Sequence, residues 1–177
     1  MTVSTLPNTL IRGFLLAVAA LALSACGTNP TIAPYAGEEQ GLVIFAADIK
    51  VLGDTELEYN YLFTVENKDT GETHRMRMLV EENKPYAVLG RLQPGQYRLT
   101  QREDIRRDAR GIQLAEAEGE FRVEAGKITL PKLIEVEKKK YTRKVWVRNL
   151  SKEDAELIYN LDIAVEDEYQ GWALLTD

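Results

Sequence analysis

Apolar and polar residues alternate with a period of two along much of the chain after residue 41. The clearest alternation covers residues 56–66, where one phase is apolar and the other is mostly polar. Successive side chains of a strand point to opposite faces, so this pattern predicts a strand with one buried face. The apolar phase consists of Leu57, Tyr59, Tyr61, Phe63 and Val65.

Other segments predict further strands separated by turns. Residues 42–47 are continuously apolar, which predicts a central strand that is buried on both faces. Residues 67–71 predict a turn, with Gly71 suited to positive φ, and residues 105–111 predict a polar loop. Strands are also predicted over 72–80 and 86–89, after the Pro94-Gly95 turn, and over 112–118, 120–124, 126–136 and 141–148.

The C-terminal region has a different period. Ser151 followed by acidic residues predicts a helix N-cap, and the helix is expected to end near Gly171. Its predicted apolar stripe comprises Leu157, Ile158, Leu161, Ala164 and Val165. Many short strands and one terminal amphipathic helix predict a mainly β protein, an antiparallel β-sandwich with a C-terminal helix.

An apolar run over residues 14–23 leads into Leu23-Ser24-Ala25-Cys26, which contains the only cysteine. The run is long enough for a signal-peptide core and too short for a spanning helix. The motif resembles the lipobox of bacterial lipoproteins. That resemblance implies cleavage before Cys26, lipidation of its sulfur, and fatty chains such as palmitate that hold the protein on a membrane. Gly27 in place of Asp favours the outer membrane, with the domain in the periplasm.

Three regions are therefore expected: a cleaved signal peptide at residues 1–25, a lipid-anchored tether at 26–40, and a sandwich domain with its helix at 41–177. The formal net charge of the chain is −6, and it becomes about −7 without the leader, which contains Arg12. An acidic chain is a poor match for nucleic acids, which bind clustered lysine and arginine. The expected partners are the membrane and another envelope protein.

Two later motifs carry a second resemblance. Leu92-x-Pro94-Gly95-x-Tyr97-x-Leu99 and Phe121-x-Val123-x-x-Gly126-Lys127 are similar to segments of prealbumin-like sandwiches, including DUF2846-type envelope lipoproteins. Leu130-Pro131-Lys132 departs from the Tyr-x-Gly of many relatives. The resemblance implies a sandwich of the prealbumin or Ig-like kind, an exported accessory module and no particular chemistry.

Catalytic and metal-binding patterns are sparse. His74 is the single histidine, and an edge or packed residue is the simpler interpretation, so we expect no metal site and no cofactor. The acidic pairs Glu103-Asp104 and Glu116 with Glu118, and the run at residues 166–168, are more simply solvated positions than a hydrolase pair. Tyr59, Tyr61 and Phe63 could stack on a sugar, although the core side of a sheet is the simpler interpretation.

One basic cluster is a candidate surface for contact with headgroups or cell-wall polymers, with a solvated turn as the simpler alternative. It consists of Lys138, Lys139, Lys140, Arg143 and Lys144. The leading functional hypothesis is a non-enzymatic envelope lipoprotein that binds or assembles another protein. The alternatives are a binding module for glycan or a small ligand and, last, a carboxylate-based hydrolase.

Overall fold

A computed structural model of the chain describes residues 32–52, 59–105, 113–139 and 142–176. Cys26, Lys140 and the predicted leader lie outside the described residues. The described strands are β1 Gly41–Leu52, β2 Tyr59–Asn67, β3 Thr73–Val80, β4 Tyr86–Leu92, β5 Gly95–Ile105, β6 Gln113–Val123, β7 Lys127–Thr129, β8 Lys132–Lys139, β9 Thr142–Asn149 and β10 Ala173–Leu174.

The strands form two sheets, which confirms the mainly β prediction and is consistent with a sandwich. A four-stranded antiparallel sheet has the order β3-β2-β5-β6. A six-stranded sheet has the path β10-β7-β1-β8-β9, with β4 also paired to β1. The pairings β1–β7, β1–β8 and β7–β10 are parallel, so this sheet is mixed, and the expectation of an entirely antiparallel sandwich is wrong.

The main hydrophobic core lies between the two sheets, and strand alternation supplies its side chains. Val43 and Phe45 of β1 are fully buried there, opposite Tyr61 and Phe63 of β2. The Phe45 and Phe63 rings meet edge to face with centroids 5.2 Å apart. The core interpretation of the aromatic row is therefore confirmed for Tyr61 and Phe63.

A second cluster covers the outer face of the six-stranded sheet. Leu42 and Ile44 alternate with the core residues of β1 and are also fully buried, which confirms that β1 is buried on both faces. Residues from both ends of the described chain complete this outer cluster. Its buried members are Ile32, Leu42, Ile44, Tyr86, Val88, Ile128, Leu130, Ile163, Tyr169 and Trp172.

Several predicted boundaries change in the structure. The two short strands expected around Gly119 are one continuous strand, β6, and the single strand expected over 126–136 is broken into β7 and β8 at Leu130-Pro131. The turn after β2 forms as predicted, because the Gly71 amide donates to the Asn67 carbonyl at 2.8 Å and Gly71 has φ +73°. Strands β3 and β9 lie close to their predicted positions.

Candidate interaction surface

The C-terminal segment begins as predicted and then departs from a regular helix. The Ser151 hydroxyl accepts a hydrogen bond from the Asp154 amide at 3.1 Å, so Ser151 is the N-cap of α1, Lys152–Ile158. A π-helical turn, Tyr159–Ile163, follows directly, and a 3-10 turn spans Asp167–Tyr169. Regular helix therefore ends well before the predicted boundary at Gly171.

This segment buries a different face from the predicted stripe. Ile163 is fully buried in the outer cluster, and Ala155, Ile158 and Tyr159 pack partly against it. The Tyr159 hydroxyl donates to the Trp172 carbonyl at 2.7 Å, which fixes this face against the C-terminal strand. Of the five residues in the predicted stripe, Ile158 faces the domain as expected.

The other four members of that stripe, Ala164 and three large residues, are exposed to solvent instead. Leu157 is 56% exposed, Leu161 is 63% exposed and Val165 is 68% exposed. They are spaced four residues apart: Leu157 lies in α1, Leu161 in the π-helical turn and Val165 in the turn that follows. Isolated exposed apolar residues need no explanation, whereas three large ones close together in one short segment favour an interaction surface. We call these three residues the apolar ridge.

The chain enters the domain beside this segment. The Tyr35 amide donates to the Gln170 carbonyl at 2.8 Å, and the Trp172 indole nitrogen donates to the Ala33 carbonyl at 3.0 Å. The Tyr35 and Trp172 rings meet edge to face at 5.1 Å. Residues 32–35, part of the predicted tether, are therefore held against the C-terminal segment, and Ile32 shares the outer cluster with Ile163.

The described members of the predicted basic cluster are divided between two faces by strand alternation. Lys139 and Lys144 lie on the outer face of the six-stranded sheet, where the Lys139 ammonium is 2.8 Å from Glu137. Lys138 pairs across the strands with Arg143, whose side chain turns toward the other sheet and is 12% exposed. The prediction that this cluster contacts anionic polymers stays a prediction.

Arg143 joins a buried ionic cluster that the sequence analysis missed. Arg102 Nε lies 2.8 Å from Asp104 Oδ1, and Arg143 Nη2 lies 3.6 Å from Asp104 Oδ2. The Arg143 guanidinium also lies 5.5 Å from the centre of the Tyr61 ring. Because Asp104 is 2% exposed and Arg102 is 7% exposed, these charges link the two sheets inside the sandwich.

A bulge in β5 explains why alternation did not predict this cluster. Val65 pairs with Leu99, whereas Thr64 pairs with Gln101, so Thr100 is an extra residue. The extra residue reverses the strand phase and turns Arg102 and Asp104 inward. Strict alternation from Leu99 would have placed Gln101 and Glu103 there instead.

A buried lysine links the two sheets at another position. Lys132 is 1% exposed, and its ammonium donates to the Glu118 carbonyl at 2.9 Å and to Asn149 Oδ1. Burial lowers the pKa of this ammonium. A Cβ atom at Gly119, which has φ +132°, would overlap the Lys132 ammonium. The missing side chain at Gly119 therefore leaves room for the Lys132 ammonium, which links β8 to β6.

The remaining polar candidates are dispersed. His74 is half-buried on β3, with its Nε2 3.8 Å from Glu72 and its ring 6.3 Å from that of Tyr97. Glu103 and Asp104 are both buried, so the prediction that they are solvated is wrong. They point to opposite faces of their sheet, and Glu103 pairs with Arg75 at 2.7 Å. Among the residues that the structure describes, no group of three or more His, Cys, Asp or Glu side chains could hold a metal ion.

An open groove of about 360 Å³ lies at the β5–β6 bulge. Glu116, Glu118 and Glu120 line it together with Arg98 and Thr100. Lys68 pairs with Glu120 at 2.6 Å, and Arg98 donates to Glu66 at 2.9 Å, so two of the charged residues at this groove are already paired within the protein. The apolar ridge is consequently the stronger candidate surface in the described part of the chain.

Comparisons with known proteins give this chain no family. No family model matches the sequence, and no curated protein matches it. A leucine-rich repeat protein from Bacteroides thetaiotaomicron is similar to this structure with a TM-score of 0.36 and 14% sequence identity. The match covers 69% of this chain and 16% of that protein, a likeness too low to carry an argument. In the described ranges, no helix has the length and apolar character needed to cross a membrane.

Proposed function

We propose that this protein is a non-enzymatic envelope lipoprotein that binds or assembles another protein through its C-terminal segment. The apolar ridge is the observation that carries the proposal. Leu157, Leu161 and Val165 remain more than half exposed although the opposite face of the same segment is buried. A row of aliphatic side chains kept in water favours an interaction surface over a catalytic one.

The position of the ridge supports a role close to a membrane. Ile32 is the sixth residue after Cys26, so the lipidated residue would lie within about 20 Å of Ile32 at ~3.3 Å per residue. Ile32 and Ile163 share the outer cluster, so an anchor at Cys26 would lie on the side of the domain that carries this segment. Several acyl chains on Cys26 would hold that side at the outer membrane, facing the periplasm.

We also propose that the sandwich is of the prealbumin-like kind. The motif around Pro94-Gly95 leads into β5, and the burial of its Tyr97 and Leu99 in the core supports this proposal. Such a domain serves as a rigid carrier for the C-terminal segment. The two sheets supply stability, and the segment on the outer face supplies the contact.

Cross-linking in intact cells tests the proposal. A photoreactive amino acid placed at Leu161 of the full chain should form a discrete cross-link to a protein, because this side chain is 63% exposed within the ridge. The matched control places the same group at Thr70, an exposed residue in the β2–β3 turn, and should give no discrete product. Equal products at both positions, or products with saccharide alone at Leu161, would refute the proposal.

Lipidation is tested separately. Wild-type protein should incorporate labelled palmitate and partition with membranes, whereas Cys26→Ser should do neither, since Cys26 is the only thiol in the chain. The Leu161 cross-link should weaken at least tenfold in Cys26→Ser cells if anchoring raises the local concentration of protein at its partner. Unchanged partitioning of Cys26→Ser would remove the anchor from the proposed function.

A further inference from the structure

The negative charge of this protein is concentrated around the apolar ridge. The chain contains 28 acidic and 22 basic residues, a net charge of −6. Residues 151–170 contain seven acidic residues and one lysine, which is also −6, so the rest of the chain is balanced at 21 of each. The acidic residues of this segment are Glu153, Asp154, Glu156, Asp162, Glu166, Asp167 and Glu168.

These acids alternate with the ridge residues along the segment. Glu156 precedes Leu157, Asp162 follows Leu161, and Glu166 follows Val165. Lys84 lies 4.0 Å from Glu166, the one ion pair recorded between this acidic set and a basic side chain in the described ranges. An apolar row is therefore bordered by carboxylates whose charge the neighbouring surface leaves largely uncompensated.

This arrangement discriminates between the surfaces that the ridge could contact. Anionic headgroups would repel the carboxylates, so the bilayer itself is a poor match. A second copy of the chain is also a weaker match, because its remaining surface carries no net positive charge. Charge complementarity instead favours a cationic partner. Its basic side chains would be attracted to the carboxylates around the ridge, and its apolar surface would bury the three ridge residues.

We propose that the apolar ridge docks into an apolar groove with a basic rim on another protein. This inference rests on the proposed function and names the chemistry of its partner. Leu157, Leu161 and Val165, spaced four residues apart, would be the apolar anchors of the segment in that groove. The surrounding carboxylates would orient the segment through pairs with lysine or arginine on the rim of the groove.

The experiment uses the mature chain with Cys26→Ser, which needs no detergent, and a fluorescently labelled amphipathic peptide as the probe. The peptide has leucines on one helical face and lysines on the other, and a matched peptide has glutamate in place of lysine. We expect the lysine peptide to bind and the glutamate peptide to bind at least about tenfold more weakly. Raising the salt concentration from low to molar should weaken binding of the lysine peptide by a similar factor.

Two sets of variants separate the contribution of the apolar ridge to binding from that of the neighbouring carboxylates. Leu157→Ser with Leu161→Ser should reduce binding of the lysine peptide at least about tenfold, whereas Trp146→Ser, which removes another exposed apolar side chain, should not. Neutralising Glu153, Asp162 and Glu166 to their amides should have a comparable effect. Neutralising Glu72, Glu81 and Glu82, which are exposed elsewhere, should not.

The outcomes separate this inference from the function on which it rests. If the Leu161 cross-link forms in cells but both peptides bind equally, or the amide variants bind as tightly as wild type, the basic rim is wrong and the protein-binding function survives. Sedimentation of the same chain with phosphatidylglycerol vesicles, lost in the Leu157→Ser, Leu161→Ser variant, would identify a lipid surface and overturn the inference. Absence of the cellular cross-link would overturn both.

Discussion

The protein contains two apolar clusters that share strand β1 but are built in different ways. Between the sheets, Val43 and Phe45 meet side chains delivered by strand alternation. On the outer face, Leu42 and Ile44 are covered by the ends of the described chain, including Ile32 and residues 155–174. The inner cluster depends on the pairing of two sheets, whereas the outer one depends on docking of terminal segments, where local opening is generally easiest.

This difference connects stability with the proposed function. The ridge belongs to a segment whose other face is held by the outer cluster, and the entering chain is held by the same cluster. A change in the outer cluster should therefore disturb both the ridge and residues 32–35, which lead to the proposed anchor. A change in the inner cluster should unfold the whole domain, because both sheets lose packing at once.

The largest expected effect comes from opening the inner cluster. Phe63 is fully buried against Phe45, so Phe63→Ala should lower the free energy of unfolding by about 3–5 kcal/mol. Chemical denaturation followed by circular dichroism measures this change. Phe63→Leu, which retains most of the volume, is the control and should cost less than about 1.5 kcal/mol. A loss below about 1 kcal/mol for Phe63→Ala would contradict the assigned core.

A smaller and more local effect is expected from the outer cluster. Ile163 is fully buried beneath the helical segment, so Ile163→Ala should cost about 2–4 kcal/mol. Amide hydrogen exchange should accelerate first in residues 32–35 and 159–174, because these terminal segments are held by the same cluster. Leu161→Ala, in the same helical turn but 63% exposed, should remain within about 0.5 kcal/mol of wild type. Equal exchange in all strands would show that the clusters open as one unit.

The smallest expected effect is a loss of stability of the outer cluster at alkaline pH. Burial, with Glu166 and Tyr169 beside its hydroxyl, raises the pKa of Tyr86 far above the usual 10.0, and burial also raises the pKa of Tyr169. The unfolded chain then loses these protons first, so their stabilising contribution is fully present below pH 10 and declines as pH rises above it.

The free energy of unfolding should therefore fall less steeply above pH 10 in Tyr86→Phe than in the wild type. Tyr169→Phe should show a smaller change in the same direction. Denaturant melts at successive pH values from neutral to strongly alkaline provide the measurement. If the wild type and Tyr86→Phe lose stability in parallel above pH 10, the buried hydroxyl is not responsible. Opening should appear first in the outer cluster, since both tyrosines belong to it.

Much of the fold was predictable where a local rule and the tertiary environment agree. The alternation through Tyr61 and Phe63 identified a core strand because a sheet with one buried face needs that period. The Asn67–Gly71 turn and the Ser151 cap were predictable because each depends on residues a few positions apart. The ionic cluster was not, since one extra residue at Thr100 changes which side chains of β5 face inward.

By itself, the sequence determined the β-rich character, the phase of most strands and the presence of a capped helical segment, because these follow from periodicity and local hydrogen bonding. It also determined that the excess negative charge lies in residues 151–170. Only the tertiary structure decided which face of that segment is buried. Two apolar faces compete there, and the outer sheet face, with Leu42, Ile44 and Ile128, fits Ile163 and Tyr159 while leaving Leu157, Leu161 and Val165 in water.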